Sequence, residues 1–148
     1  MHWIVRVNDG KNFYASMKRG IWALKSWTSD GKNFLSYVNV DDTLWFLTNY
    51  KAGKKFIGVA TFTEVKKRET GPLISLTATN EELGWTDGEW DTEIHFTNLY
   101  LIGDLEMQPN IKCQSSYVKT SSITKEIEFD FDLELKNIVK YSKAKRIL

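Results

Sequence analysis

The segments TLWFLT (residues 43–48) and FIGVATFTEV (residues 56–65) carry the clearest strand pattern in the sequence. Both are rich in aromatic and β-branched side chains, which favour the half-buried surface of a sheet. Residues 49–54 between them are largely polar, contain Gly53 and have the character of a hairpin connection. We therefore predict two neighbouring strands of a sheet here.

The N-terminal residues combine strand and helix patterns. Trp3–Val7 is a short apolar run followed by an Asn-Asp-Gly turn, which predicts a strand. Phe13, Met17 and Ile21 then recur every four residues, which predicts an amphipathic helix that ends near Gly20. A second apolar run, residues 21–24, follows directly. Residues 29–33 have the composition of a loop, and residues 34–38 fit either a helical turn or a strand.

The second half of the chain contains further short elements. Residues 80–84 resemble a capped helical turn, and residues 94–102 return to strand character. Residues 126–132 alternate apolar and acidic side chains, which predicts a half-buried strand, and a helix is expected over residues 133–141.

Several short strands with few helices between them predict an α+β fold. We expect a small curled β-barrel, mainly antiparallel and flanked by a few short helices. A chain of 148 residues closes one core, so residues 1–148 are expected to form a single domain. Residues 103–148 should complete the barrel and add a C-terminal helix.

Composition argues against several classes of protein. A net charge of +1 rules out a general cationic field, so any nucleic-acid binding must use a local patch. One cysteine and two histidines argue against a disulfide framework or a metal cluster, so we expect no metal and no cofactor. We find no export signal and no run of about 18 apolar residues, and we expect an intracellular protein, cytoplasmic or nuclear, that does not bind membranes.

The titratable residues offer no catalytic motif. Neither His2 nor His95 has a local nucleophile motif, and we interpret both as structural. The adjacent carboxylates at residues 41–42 and 81–82 are more typical of solvated surface or helix caps. The sequence therefore predicts no catalytic residue.

Six tryptophans are the most informative feature of the composition. Trp3 and Trp45 lie within apolar strand runs and are predicted to be core residues. Trp85 and Trp90 flank a polar Asp-Gly turn, where large indoles need something to cover. Together with Trp22 they either cap the core or line a site for a flat ligand, and Trp27 is unassigned.

Three segments resemble the YTH domains, which read N-methylated adenine in RNA. Residues 3–24 are similar to the start of that family, with Gly-Ile-Trp after the first helix, and residues 43–60 are similar to its central hairpin. Trp85 and Trp90 are similar to a tryptophan pair that supplies two cage walls in one subgroup. The resemblance covers residues 3–103 and extends to the EVE domains, associated with modified bases in DNA. It implies the PUA-like barrel of both families.

The resemblance also implies the site. Trp22, Trp85 and Trp90 would enclose a modified, methylated base, and base-edge contacts would come from Asn8, Asn12 and the Ala23 backbone. Asn12 departs from the acid that YTH readers often have there. Nucleic acid, RNA or DNA, is the expected partner. Among the basic residues, those that would contact its phosphates are Lys25, Lys51, Lys54, Lys55, Lys66, Lys67 and Arg68.

Two other functions remain open from the sequence. ASCH domains share the PUA-like barrel and some relatives hydrolyse modified nucleosides, for which Lys18 or Lys25 would be candidates. An aromatic cage also binds methylated lysine through cation–π attraction, and the acidic residues Asp87, Glu89 and Asp91 would suit such a ligand.

Overall fold

The structure is a computed structural model that describes residues 1–49, 55–67, 90–103, 116–120, 129–141 and 144–146. The helices are α1 (Lys11–Ser16), a 3-10 turn (Met17–Arg19), α2 (Ser29–Tyr37) and α3 (Phe131–Tyr141). The strands are β1 (His2–Arg6), β2 (Ile21–Leu24), β3 (Thr43–Leu47), β4 (Phe56–Lys67), β5 (Thr92–Ile102), β6 (Tyr117–Lys119) and β7 (Ala144–Arg146).

The strands form one curled sheet in the order β2-β5-β4-β3-β1-β6, with β7 also paired to β5. β1 and β3 run parallel, and all the other described pairs are antiparallel. The α+β class and the mainly antiparallel sheet are therefore confirmed. The N-terminal strand lies inside the sheet, between β3 and β6.

Alternate residues of the strands belong to two hydrophobic clusters, one on each face of the sheet. The inner cluster contains Trp3 and Phe46, and the outer cluster contains Ile4 and Trp45, as expected from the two-residue period of a strand. Helix α3 covers the outer cluster with Phe131, Ile138 and Leu135. Trp3 and Trp45 are both fully buried, which confirms that they are core residues.

Helix α1 packs closely on the inner face of the sheet. A Cβ atom at Gly58 in β4 would lie 3.0 Å from Cζ of Phe13, so glycine allows that ring to approach the strand. The helix and its 3-10 turn end at Gly20, whose left-handed φ of 66° suits a residue without a side chain. Gly20 thus ends the predicted helix and directs the chain into β2.

Two secondary-structure predictions were wrong. Residues 29–33 form the first turns of α2 because the Thr28 side chain accepts a hydrogen bond from the Gly31 N–H at 3.0 Å and caps the helix. Phe131 and Asp132 begin α3 rather than ending a strand, since Asp130 Oδ1 accepts the Leu133 N–H at 3.1 Å. Residues 126–128 and 80–84 lie outside the described residues, as does most of the predicted hairpin connection.

No helix in the described segments is long and apolar enough to cross a membrane.

Candidate base-binding site

Trp22 lies on β2 opposite Ile94 of β5 and belongs to the inner cluster. Its side chain is only 7% exposed, and its ring centroid lies 6.5 Å from that of Phe13 on α1. Because Phe13 is itself held against Gly58, the position of Trp22 is set by two strands and a helix. This tryptophan is part of the core whether or not it also contacts a ligand.

Tyr117 of β6 reaches across to β2. Its hydroxyl donates a hydrogen bond to the Ala23 carbonyl at 2.9 Å. Burial raises the pKa of Tyr117 above its usual range, and a hydrogen bond with the Trp22 side chain acts in the opposite direction. The tyrosine therefore links two predicted site residues through a buried hydrogen-bonded network.

The Ala23 backbone faces away from β5. The Phe96 N–H donates to the Gly20 carbonyl, and alternation along an antiparallel pair places the Ala23 N–H and C=O on the other side of β2. Tyr117 therefore connects β2 and β6, the two ends of the described strand order. A ligand that uses the Ala23 carbonyl would share it with this hydroxyl.

Trp90 is half-buried and packs against the same inner cluster as Trp22. It lies two residues before β5. Because β2 and β5 are antiparallel, the start of β5 lies beside the last residue of β2. Lys25 Nζ lies 4.4 Å from the centroid of the Trp90 ring and 5.9 Å from that of Trp27. Both distances are within the range of cation–π attraction.

The loop that carries Lys25 is fixed to the start of β5. Asp91 Oδ1 accepts the Ser26 N–H at 2.9 Å, and its other oxygen accepts the Ser26 hydroxyl. Desolvation raises the pKa of Asp91, but hydrogen bonds from Ser26, from the Asp91 backbone and from the Thr92 side chain together outweigh it, and the pKa lies below its usual value. Asp91 thus holds the β2–α2 loop beside Trp90.

Two further lysines lie at this end of the sheet. In the strand register Lys67 is opposite Thr92, which is opposite Leu24, so β4, β5 and β2 all reach this end. Lys67 is exposed, and Lys66 Nζ lies 3.2 Å from Glu64 Oε1. The structure therefore brings Lys25, Lys66 and Lys67 to the same end as Trp90.

Lys55 lies elsewhere. It precedes β4, whereas Lys67 is that strand's last residue, and roughly 40 Å of strand separates them at the usual rise per residue. Asn8 belongs to the same end as Lys55: its carbonyl accepts the Asn49 N–H at 2.6 Å, and Thr48 bonds to Lys55. The residues predicted to contact phosphates therefore do not all lie around one site.

The remaining predicted residues divide into two groups. Asn12 is half-buried on α1, next to Phe13 and therefore on the helix that approaches Trp22. The others lie outside the described residues: Trp85, Lys51, Lys54 and Arg68 of the predicted site, and Asp87 and Glu89 of the methyl-lysine alternative.

Each histidine has side-chain partners. His2 Nδ1 accepts the Trp45 indole N–H at 3.0 Å, and its Nε2 bonds to Asp132 Oδ1 at 2.7 Å. The hydrogen bond and charge of His2 hold the pKa of Asp132 below its usual value. His95 Nε2 lies 2.9 Å from a carboxylate oxygen of Glu93, which is buried in β5. Within the described residues no group of three His, Cys, Asp or Glu side chains is arranged to hold a metal ion.

One pocket in the described part of the chain lies away from the tryptophans. It has a volume of about 270 Å³ and lies between α3 and the outer side of the sheet, where Val59, Tyr100 and Leu135 contribute to its wall. None of the site tryptophans lines it. The inner-face cluster around Trp22 and Trp90 is therefore a separate feature.

Sequence reasoning missed Tyr117 and left Trp27 unassigned. Tyr117 is 94 residues from its partner Ala23, and no local pattern signals such a pairing. Trp27 follows Lys25 by two positions, which was the available signal that the two share a surface.

Searches against models of known protein families and against curated proteins find no match for the chain.

Proposed function

We propose that this protein is a non-catalytic nucleic-acid-binding module that holds one modified, methylated base between tryptophans at the β2–β5 end of the sheet. The observation that carries the proposal is the position of Trp90. It adjoins the same apolar cluster as Trp22, is itself half-buried, and has the Lys25 ammonium 4.4 Å above its ring. We further propose the PUA-like class of the EVE and YTH domains, which the ordered motifs and the curled sheet support.

The chemistry of this end of the sheet suits a base attached to a charged backbone. A base that stacks on Trp90 would take the place of the Lys25 ammonium over the ring, and such stacking contributes roughly 1–3 kcal/mol per base. Lys25 places a positive charge over that ring and Lys67 lies at the same end of the sheet, although the chain as a whole carries only +1. A local basic patch of this kind favours binding whose strength falls with salt.

Discrimination of a methylated base requires a closed end to the site. One methyl group contributes about 1–3 kcal/mol through packing, so a poorly filled apolar cavity is the main means of rejecting an unmodified base. Trp22, which is 7% exposed and packs in the inner cluster, is the apolar side chain proposed for this purpose. Asn12 and the Ala23 carbonyl, which also accepts the Tyr117 hydroxyl, are the candidates proposed for the base edge.

The proposal is tested by titrating single-stranded RNA and DNA oligonucleotides that carry N6-methyladenine, 5-methylcytosine or the unmodified bases. We expect one methylated probe to bind more tightly than its unmodified partner, and Trp90→Ala to remove roughly 5- to 100-fold of that affinity. Tyr37→Ala is the control, since Tyr37 is 58% exposed and lies on α2. Equal binding of all probes, or no effect of Trp90→Ala, would contradict the assignment.

The position of Lys25 also favours a second candidate, recognition of methylated lysine. The Trp90 face already attracts an ammonium group of this chain at 4.4 Å, which is the interaction that a methyl-lysine cage uses. Both carboxylate oxygens of Asp91 accept hydrogen bonds from Ser26, so this residue is less able to pair with the charge of a methylated lysine. Titration with trimethyl-lysine peptides separates the two: binding of peptides without binding of any oligonucleotide would favour this candidate.

Turnover is tested with the corresponding modified nucleosides. After incubation with the protein, mass analysis should find the nucleosides unchanged. If the wild type forms a hydrolysis product and Lys18→Ala or Lys25→Ala does not, the hydrolase alternative is supported.

A further inference from the structure

Trp27 is the most exposed aromatic side chain in the described part of the chain, with 59% of its surface accessible. It lies in the short loop that connects β2 to α2. A large indole exposed to this extent leaves apolar surface in water, which is the usual mark of a contact surface when other features adjoin it. The adjoining feature here is Lys25.

The loop presents Trp27 in a fixed position. Ser26 is bonded to Asp91 at the start of β5, and the Thr28 hydroxyl donates to the Lys25 carbonyl at 2.9 Å. Helix α2 closes over the same carbonyl: a Cβ atom on Gly31 would lie only 2.1 Å from the Lys25 oxygen. Both sides of Trp27 are therefore anchored, and stacking on it costs little ordering of the loop.

Lys25 is shared by two aromatic rings of different exposure. Its Nζ lies 4.4 Å from the half-buried Trp90 ring and 5.9 Å from the exposed Trp27 ring. The two ring centroids are consequently within roughly 10 Å of each other, with a cation in reach of both. In a nucleic-acid strand, one phosphate joins the sugars of two neighbouring nucleotides, so a cation close to both stacked bases is also close to that phosphate.

We propose that Trp27 stacks on the nucleotide adjacent to the modified base, and that Lys25 contacts the phosphate that joins the two nucleotides. This inference rests on the proposed function and deepens it: the ligand is a single strand of at least two nucleotides rather than a free nucleoside. A duplex would keep the adjacent base paired and unavailable for stacking.

The test compares ligands of two sizes. The probes are N6-methyladenosine and 5-methylcytidine, and single-stranded pentanucleotides with either methylated base at the centre. Wild-type protein should bind one pentanucleotide roughly 5- to 100-fold more tightly than the matching nucleoside. Trp27→Ala should remove most of that advantage and leave nucleoside affinity unchanged, and Trp27→Phe should restore much of it. Tyr37→Ala, which removes an equally exposed aromatic ring, should change neither affinity.

A second arm locates the stacked nucleotide. Pentanucleotides with an abasic position immediately 5′ or 3′ of the methylated base are titrated against wild type and Trp27→Ala. For one of the two positions, wild type should lose affinity while Trp27→Ala loses almost none, because the contact is already absent. Lys25→Gln should weaken pentanucleotide binding and reduce its salt dependence.

The outcomes separate this inference from the function on which it rests. If wild type binds neither nucleoside nor pentanucleotide, the proposed function fails. If wild type binds the nucleoside and pentanucleotide equally, or if Trp27→Ala loses no pentanucleotide affinity, the base site stands and the stacking role of Trp27 is overturned.

Discussion

Tyr117 shows how much one hydroxyl contributes to the candidate site. It donates to the Ala23 carbonyl, and its ring lies 5.0 Å from that of Phe34 in the inner cluster. A phenylalanine would keep the ring and remove the hydroxyl. Its loss would leave the buried Ala23 carbonyl without this donor, which costs about 1–3 kcal/mol in similar settings.

We therefore expect Tyr117→Phe to lower the free energy of unfolding by about 1–3 kcal/mol, measured by urea denaturation. Tyr37→Phe is the matched control, because Tyr37 is 58% exposed and should change stability by less than about 0.5 kcal/mol. Equal stability of wild type and Tyr117→Phe would show that the bond between β2 and β6 contributes nothing.

Asp91 makes the anchoring of the β2–α2 loop depend on pH. Its pKa is lowered in the folded protein, so its contribution to stability is present above the unfolded value of about 4 and is lost as pH falls through the lower, folded value. Asp91→Asn should accordingly be less stable than wild type at pH 6, and the difference between the two urea midpoints should shrink at pH 3. A difference that stays constant across this range would contradict the assignment.

At the scale of elements, helix α2 depends on Thr28, the residue that caps its N-terminus. The Thr28 hydroxyl accepts the Gly31 N–H and itself donates to Lys25, so one side chain caps the helix and orders the loop. Thr28→Ala should destabilise the protein by about 0.5–2 kcal/mol in thermal or urea unfolding. Ser29→Ala is the control, since Ser29 is an exposed residue of the first turn. A similar loss in both variants would show that the cap is not responsible.

The central strands could be predicted from the sequence because their signal is local. β3 is almost entirely apolar, and β4 begins with an apolar run and then alternates, so a short window of sequence is enough to predict each strand. The start of α2 was missed because Ser, Asp, Gly and Asn are loop residues by composition, whereas the cap at Thr28 was decisive. The start of α3 was missed because alternating phenylalanines at residues 129 and 131 fit a strand equally well.

The candidate site could be predicted in part. Trp22, Trp85 and Trp90 were predicted to act together; the structure places Trp22 and Trp90 on one cluster, and Trp85 lies outside the described residues. The pairing of β1 with β3 and β6 and the contact of Tyr117 with β2 join residues far apart in sequence, so no short window contains them. The grouping of the lysines depended on the same long-range register.

At the scale of the whole molecule, lysines lie at both ends of β4. Lys67 lies at the Trp90 end of β4, and Lys55 precedes its other end. If nucleic acid binds beside Trp90, Lys67→Gln should flatten the plot of log affinity against log salt by roughly 0.7 for a single strand. Lys55→Gln, which removes the same charge, should leave that slope unchanged. Equal slopes for the two variants would place the ligand elsewhere.

The order of the strands in the sheet also differs from their order in the chain. β1 is the first strand in the chain, yet it pairs with β3 and then with β6, which begins at Tyr117. Closure of the gap between β6 and β2 must wait for the same late segment. Contacts of such large sequence separation are entropically costly to form early and slow folding.

The hydrogen bond between Tyr117 and Ala23 therefore also matters while the chain is being synthesised. A nascent chain that has emerged only to β5 has a β1 edge with no β6 beside it and a β2 edge with no tyrosine across it. Open edges of this kind can pair with other chains. Both of these edges stay open until residue 119 has emerged, so the Tyr117 bond and the pairing of β6 also remove two sites at which a partly synthesised chain could join another.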